Sequence, residues 1–182
     1  VAKKIYLEEH PNTNIHVINS LSAGGEVDLI VRKLNQLVAE GLDFDQVVDV
    51  ITTYQSKTKL LFVLAKVDNL VKNGRLSKLI GTVVGLLNIR MVGEASKTGT
   101  LELLQKARGQ KKAIKAAFDE LIKAGYAGGH ITIAHRNNEK FIEQFSALVR
   151  EKFAHAMIEV LPTSGLCSFY AEEGGLLMGY EI

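Results

Sequence analysis

Arg75 lies in Asn73-Gly74-Arg75-Leu76-Ser77, a lone cation directly after a glycine suited to a helix end and directly before an apolar stretch. A guanidinium placed there can meet an anionic head group while the apolar residues beside it wall a slot. Ser20 and Ser22, in Ser20-Leu21-Ser22-Ala23-Gly24-Gly25, follow an apolar run and precede a helical pattern. Such a junction can offer hydroxyls and backbone N–H groups to an anion, or the serines can simply cap the helix. Arg108, Lys111, Lys112 and Lys115 recur at i, i+3, i+4 and i+7, which would put four cations on one helix face. That face is either a solvated surface or an electropositive patch for an acidic protein surface or a phosphate. No aromatic residues interleave it, which counts against nucleic acid as a partner.

Residues suited to making and breaking bonds are scarce. His10, His16, His130, His135 and His155 include no pair at i, i+4 and no His-x-His, so no metal site is expected. His130 and His135 bracket an expected strand and would point to opposite faces. Cys167, the only cysteine, sits in Gly165-Leu166-Cys167-Ser168 with no base to activate it, and reads as a structural thiol. It has no partner for an internal disulfide, so a reducing, cytoplasmic compartment is expected. The glycine pairs at 24–25, 128–129 and 174–175 form neither the Walker pattern nor Gly-x-Gly-x-x-Gly, so no nucleotide cofactor is implied.

The chain has 182 residues, 22 Lys+Arg against 20 Asp+Glu, and a net charge of +2. That length suits one domain or two small ones, and the near balance excludes nucleic-acid binding driven by bulk charge. With 47% hydrophobic and 23% charged residues, the composition is that of a folded globular chain. The longest apolar segment, Leu79 to Ile89, is broken by Gly81, Thr82, Gly85 and Asn88, so no membrane span is expected. Val1-Ala2-Lys3-Lys4 leads into a helix-like stretch rather than the apolar core of a signal peptide. The absent initiator Met suggests a start partway through a longer protein.

The elements that would position these residues alternate. Residues 3 to 9 read as the tail of a helix, His10 to Asn14 as a turn, and Ile15 to Ile18 as a short buried strand. Val27, Ile30, Val31, Leu34, Leu37 and Val38 mark a helix that Gly41 stops; Asp43 with Gln46 forms a capping box for a second, through Ile51. Leu60 to Ala65 is an apolar run of strand length, followed by a short helix to Lys72 that Asn73-Gly74 ends. The glycine-bearing Leu79 to Leu87 segment is expected to be a short helix. Ile89 to Ala95 and Thr100 to Gln105 read as a hairpin around Lys97-Thr98-Gly99. Next come a helix over Ile114 to Ile122, a strand at Ile131 to Ile133, and a helix opened by Asn137. Strands at Met157 to Val160 and Leu176 to Ile182 close the chain, joined by a long loop from Leu161 to Gly175. The fold class expected from this alternation is α/β or α+β, a sheet covered by helices.

Several segments carry more than their class. They are Val17-Ile18-Asn19-Ser20, then Leu70 to Ser77 with Asn73 ahead of Gly74-Arg75, then Leu86-Leu87-Asn88-Ile89-Arg90. Lys106-Ala107-Arg108-Gly109-Gln110-Lys111-Lys112-Ala113 and Gly174-Gly175-Leu176-Leu177-Met178-Gly179-Tyr180 complete the series. In this order and at these separations they resemble the DegV family, the bacterial fatty-acid-binding proteins.

The resemblance implies that residues 1–57 are the carboxy-terminal part of a first α/β domain of the EDD type. Residues 58–182 would then be a complete two-layer α+β second domain. It implies that roughly the first hundred residues of the family pattern, on the scale of a small domain, are not in this chain. It further implies a protein that holds a long-chain fatty acid and presents its carboxylate to a separate fatty acid kinase, without catalysing and without a cofactor. Arg75 matches the family arginine near the tunnel mouth, and Ser20, Ser22 and Tyr170 are the other candidate ligand-binding residues. Tyr170 stands where the family often carries a histidine, with Glu172 and Glu173 expected to add negative charge beside it. Arg108 matches an arginine associated with kinase docking, joined here by Lys111 and Lys112. Two further readings stand beside this one: a non-catalytic subunit of a small-molecule, dihydroxyacetone-like kinase, and a protein-docking module using the basic face.

Overall fold

Leu60-Leu61-Phe62-Val63-Leu64 is apolar at every position, the mark of a strand covered on both faces. In the computed structural model, which describes residues 1–75 and 88–182, this run is the heart of β1 (Thr58–Leu64). Before it come α1 (Ala2–Glu9), α2 (Gly25–Ala39) and α3 (Phe44–Gln55). After it come α4 (Asp68–Lys72), β2 (Ile89–Ala95), β3 (Leu101–Arg108), α5 (Gln110–Lys123) and β4 (His130–His135). The chain closes with α6 (Glu139–Lys152), β5 (Met157–Pro162), α7 (Gly165–Ala171) and β6 (Leu176–Glu181). The fold is mixed α/β, and the described strands form one sheet in the order β3-β2-β1-β6-β4-β5. Neighbours are antiparallel except β4 and β5, a parallel pair whose crossover is α6.

Period-two alternation sorts side chains between two layers. Leu61 and Val63 of β1, Ile131 and Ile133 of β4, and Leu176, Met178 and Tyr180 of β6 face the main core. That core is closed by Ala113, Ala117 and Leu121 of α5 with Phe141, Phe145 and Val149 of α6. Phe62, Leu64, Met91, Leu70 and Ala171 form a smaller cluster, with Leu177 packed against it.

Helix α2 packs on β6 and β4, and its first residue touches backbone. A Cβ on Gly25 would lie 2.6 Å from the Gly179 nitrogen and closer still to the Thr132 carbonyl oxygen. The first glycine pair therefore serves close helix–sheet approach.

Most expected elements are present. The capping box of α3 is complete, with the Gln46 N–H donating to Asp43 Oδ1 at 2.9 Å and the Asp43 N–H to Gln46 Oε1 at 3.0 Å. Gly74 takes φ of 62° after α4, as a left-handed helix end requires. Residues 15–18, however, are not a strand: Val17 is 61% exposed, and no described strand lies beside them to complete a ladder. The expected loop from Leu161 to Gly175 contains α7, too short to show a helical period and pinned by tertiary bonds instead. Asn69 Nδ2 donates to the Phe169 carbonyl at 2.8 Å, and an Arg136 N–H to the Ser168 carbonyl at 2.9 Å. The Leu79 to Leu87 segment lies outside the described residues.

Two substitutions separate the forces at work here. Asp43→Ala removes one cap and is expected to cost about 1 kcal/mol, whereas Gly25→Ala forces a methyl into backbone and is expected to cost about 3 kcal/mol. Urea denaturation of both variants checks this; a Gly25→Ala loss no larger than that of Asp43→Ala contradicts the close packing of α2.

Candidate functional site

The even residues of β1 line a cavity of about 570 Å³. Leu60, Phe62 and Leu64 share its wall with Leu177 of β6, Leu70 of α4 and Leu101 of β3, so its body is apolar. Loop residues Ser20 and Ser22, the segment Gly74-Arg75 after α4, and Tyr170 with Cys167 on α7 also line it. All four candidate ligand-binding residues thus face one space.

They fall into two local pairs. The Arg75 guanidinium lies over the Tyr170 ring, 5.8 Å from its centroid, a cation–π contact that orients the charge. The Arg75 backbone N–H donates to the Leu70 carbonyl at 2.8 Å, which fixes the chain where it leaves α4. Arg75 is exposed, and among the described residues no carboxylate pairs with it. Ser20 Oγ accepts from the Ser22 N–H at 3.3 Å. Ser22 Oγ is buried without a hydrogen-bond partner among the described residues. Neither serine caps α2: its N-cap is Gly24, which carries no capping side chain.

Two expectations about charge are corrected. Glu172 does not face Arg75; its Oε1 accepts from the Asn69 backbone N–H at 2.8 Å, at the start of α4. Glu173 sits 3.8 Å from Arg136 Nε and accepts from Asn137 Nδ2 at 3.2 Å. Neither lines the cavity, and among the described residues Arg75 is the charged side chain on its wall. Arg108, in turn, is not on the basic helix. It is the last residue of β3, opposite Ile89, and Gly109 with φ of 81° turns the chain before α5 begins. Lys111, Lys112 and Lys115 are exposed on α5, and Lys115 is paired with Asp119 at 2.9 Å.

Sequence reasoning missed the hydroxyls of Thr98 and Thr100 at the hairpin tip, which also line the cavity. It took Cys167 as a packing residue, whereas the structure puts it on the cavity wall at partial exposure. The signal for the wall was the unbroken apolar run of β1, which demands a second covering layer. A neighbouring cavity of about 620 Å³ shares Ser20, Leu21, Leu60, Ala95 and Thr98 and adds charges of both signs, Glu26, Glu94 and Glu102 with Lys59 and Lys97. His135 Nδ1 accepts from the Asn138 N–H at 3.3 Å, and His130 Nε2 lies 3.1 Å from Glu159. Among the described residues no cluster of metal-ligating side chains occurs, and no helix is long and apolar enough to cross a membrane.

Comparison with known proteins gives consistent matches. Residues 1–180 match a family model described as uncharacterised protein, DegV family. A DegV domain-containing protein of Streptococcus gordonii is 78% identical over 182 residues, 100% of this chain and 65% of that protein. The chain therefore spans 65% of the length of that curated relative. The crystal structure of the Streptococcus pneumoniae fatty acid kinase (Fak) B3 protein loaded with linoleic acid is similar at a TM-score of 0.97. It is 76% identical, over 100% of this chain and 64% of that one. A DegV family protein from Eubacterium eligens loaded with heptadecanoic acid gives a TM-score of 0.93 at 37% identity, over 99% of this chain and 65% of that one.

A buried hydroxyl with no partner costs free energy. Ser22→Ala is therefore expected to leave the ligand-free protein as stable as before, or to raise its stability by about 1 kcal/mol. Thermal unfolding of the variant reads this out; a clear fall in Tm would show that Ser22 Oγ is already satisfied.

Proposed function

The chain belongs to the DegV family, and from that premise we propose that it is the acyl-holding part of a fatty-acid carrier. The observation that carries this reading is one apolar cavity with an unpaired cation on its wall. A long-chain fatty acid has matching chemistry: a hydrocarbon tail worth about 0.8 kcal/mol for each CH₂ removed from water, and one carboxylate. The tail takes the space over Leu60, Phe62, Leu64 and Leu177. The carboxylate takes Arg75, with the Tyr170 hydroxyl as a neutral donor, since a phenol donates without carrying positive charge. Ser20 and Ser22 supply hydroxyls from the 19–23 loop, and the open valence of Ser22 Oγ suits a ligand oxygen.

The carrier itself breaks no bond. Its partner in this reading is a fatty acid kinase, which acts on the carboxylate that Arg75 holds near the surface. Arg108, Lys111 and Lys112 form the docking patch. The first turn of α5 contains no acidic residue, so two lysines sit against the positive end of the helix dipole. An arrangement that costs the helix stability is accounted for by an acidic surface that binds there.

Removing a charge-assisted contact of about 1.5 kcal/mol or more makes Arg75→Ala bind linoleic acid about tenfold more weakly, at unchanged Tm. Equal affinity in isothermal titration removes Arg75 from the site. Combined reversal of Arg108, Lys111 and Lys112 to Glu is expected to abolish association with the kinase while acyl affinity stays the same. Association that survives the reversal eliminates the docking patch.

A further inference from the structure

Phe62 and Gly93 are register partners across β1 and β2, and Phe62 faces Leu177 across the other side on β6. A Cβ on Gly93 would lie 2.8 Å from Cε2 of Phe62 and nearer still to Cζ, so the ring rests against the bare backbone of β2. The ladder between β2 and β3 is irregular here, with a register shift between Val92 and Gly93. Phe62 is 2% exposed and is the one phenylalanine on the cavity wall among the described residues. A side chain on a strand ordinarily stands away from the sheet. In that posture a phenylalanine at the middle of β1 would fill the slot. Gly93 lets the ring lean over β2 instead, an aromatic ring covering a neighbouring glycine. Leu177 is set by the same device, because a Cβ on Gly24 would lie 2.8 Å from its Cβ.

We propose that the Phe62 ring, lying against Gly93, is the floor of the cavity and selects acyl tails by length. This assignment rests on the carrier reading above. Floor height decides how many methylenes are buried before the tail meets protein, and each methylene gained or lost changes affinity about fourfold. Leu177, next in the same row, sets the floor from the β6 side.

The test compares dissociation constants of the lipid-stripped protein for hexadecanoic and octadecanoic acid. Phe62→Leu lowers the floor and is expected to shift the affinity ratio about fourfold toward octadecanoic acid. Leu177→Phe raises it and is expected to shift the ratio toward hexadecanoic acid. Should Phe62→Leu not fold, Leu177→Phe decides by itself. Native protein that binds both acids, with variants that leave the ratio unchanged or move it the other way, overturns the floor and leaves the carrier standing. Native protein that binds neither acid overturns the carrier reading, and the floor falls with it.

Discussion

A strand with apolar side chains on both faces must be covered twice, and β1 is that strand. On one face, Leu61 and Val63 meet the core closed by α5 and α6. On the other, Phe62 and Leu64 meet a much smaller cluster supplied by the short helices α4 and α7. The long helix α2 covers this same face over β6 and β4, where Gly25 meets Gly179, and leaves the β1 end to the short helices α4 and α7 among the described residues. A cavity of about 570 Å³ remains over β1. Among the described residues the site thus lies beside the start of α2, where the short helices α4 and α7 take over the covering, and Ser20, Ser22, Arg75 and Tyr170 sit on segments bordering it.

Glycines tune that layer. Gly25 and Gly179 allow α2 to press on the sheet, and this places Glu26, 5% exposed, within 2.8 Å of the Thr58 hydroxyl that donates to it. Burial, with Glu94, Glu26 and Glu120 nearby, pushes the Tyr180 phenol far above its ordinary pKa, so it stays neutral inside the core. Burial acts in the same direction on Tyr126, pushed up to about 12, whose hydroxyl donates to the Gly129 carbonyl at 2.8 Å. The phenols are therefore held neutral in the core under α5 and α6, and Glu26 of α2 is held as a paired acceptor on Thr58. The loop before that helix, which carries Ser20 and Ser22, inherits a fixed anchor.

The sequence made local structure legible where the signal was local. The Asp43–Gln46 cap, the Gly74 helix end, the Ile89–Ala95 strand and the α5 and α6 faces each follow from residues within one or two turns. Tertiary demands were less visible. Ile15 to Ile18 has strand propensity yet no strand beside it among the described residues, and α7 has no period yet is held by Asn69 and Arg136. The basic stripe failed as a helix face for the same reason: Gly109 ends β3 one residue after Arg108, and spacing alone cannot show that break. Arg75, Ser20, Ser22 and Tyr170 were each recognised, but nothing in their separation of up to 150 positions stated that they line one cavity. The second covering layer of β1 brings them there.

The central claim is that this chain walls an acyl cavity over β1. Native mass spectrometry of the purified protein, before and after organic extraction and again after incubation with linoleic acid, tests it most directly. The account predicts one added mass equal to a single fatty acid, lost on extraction and restored by incubation. Protein that keeps its own sequence mass in saturating linoleic acid would contradict it.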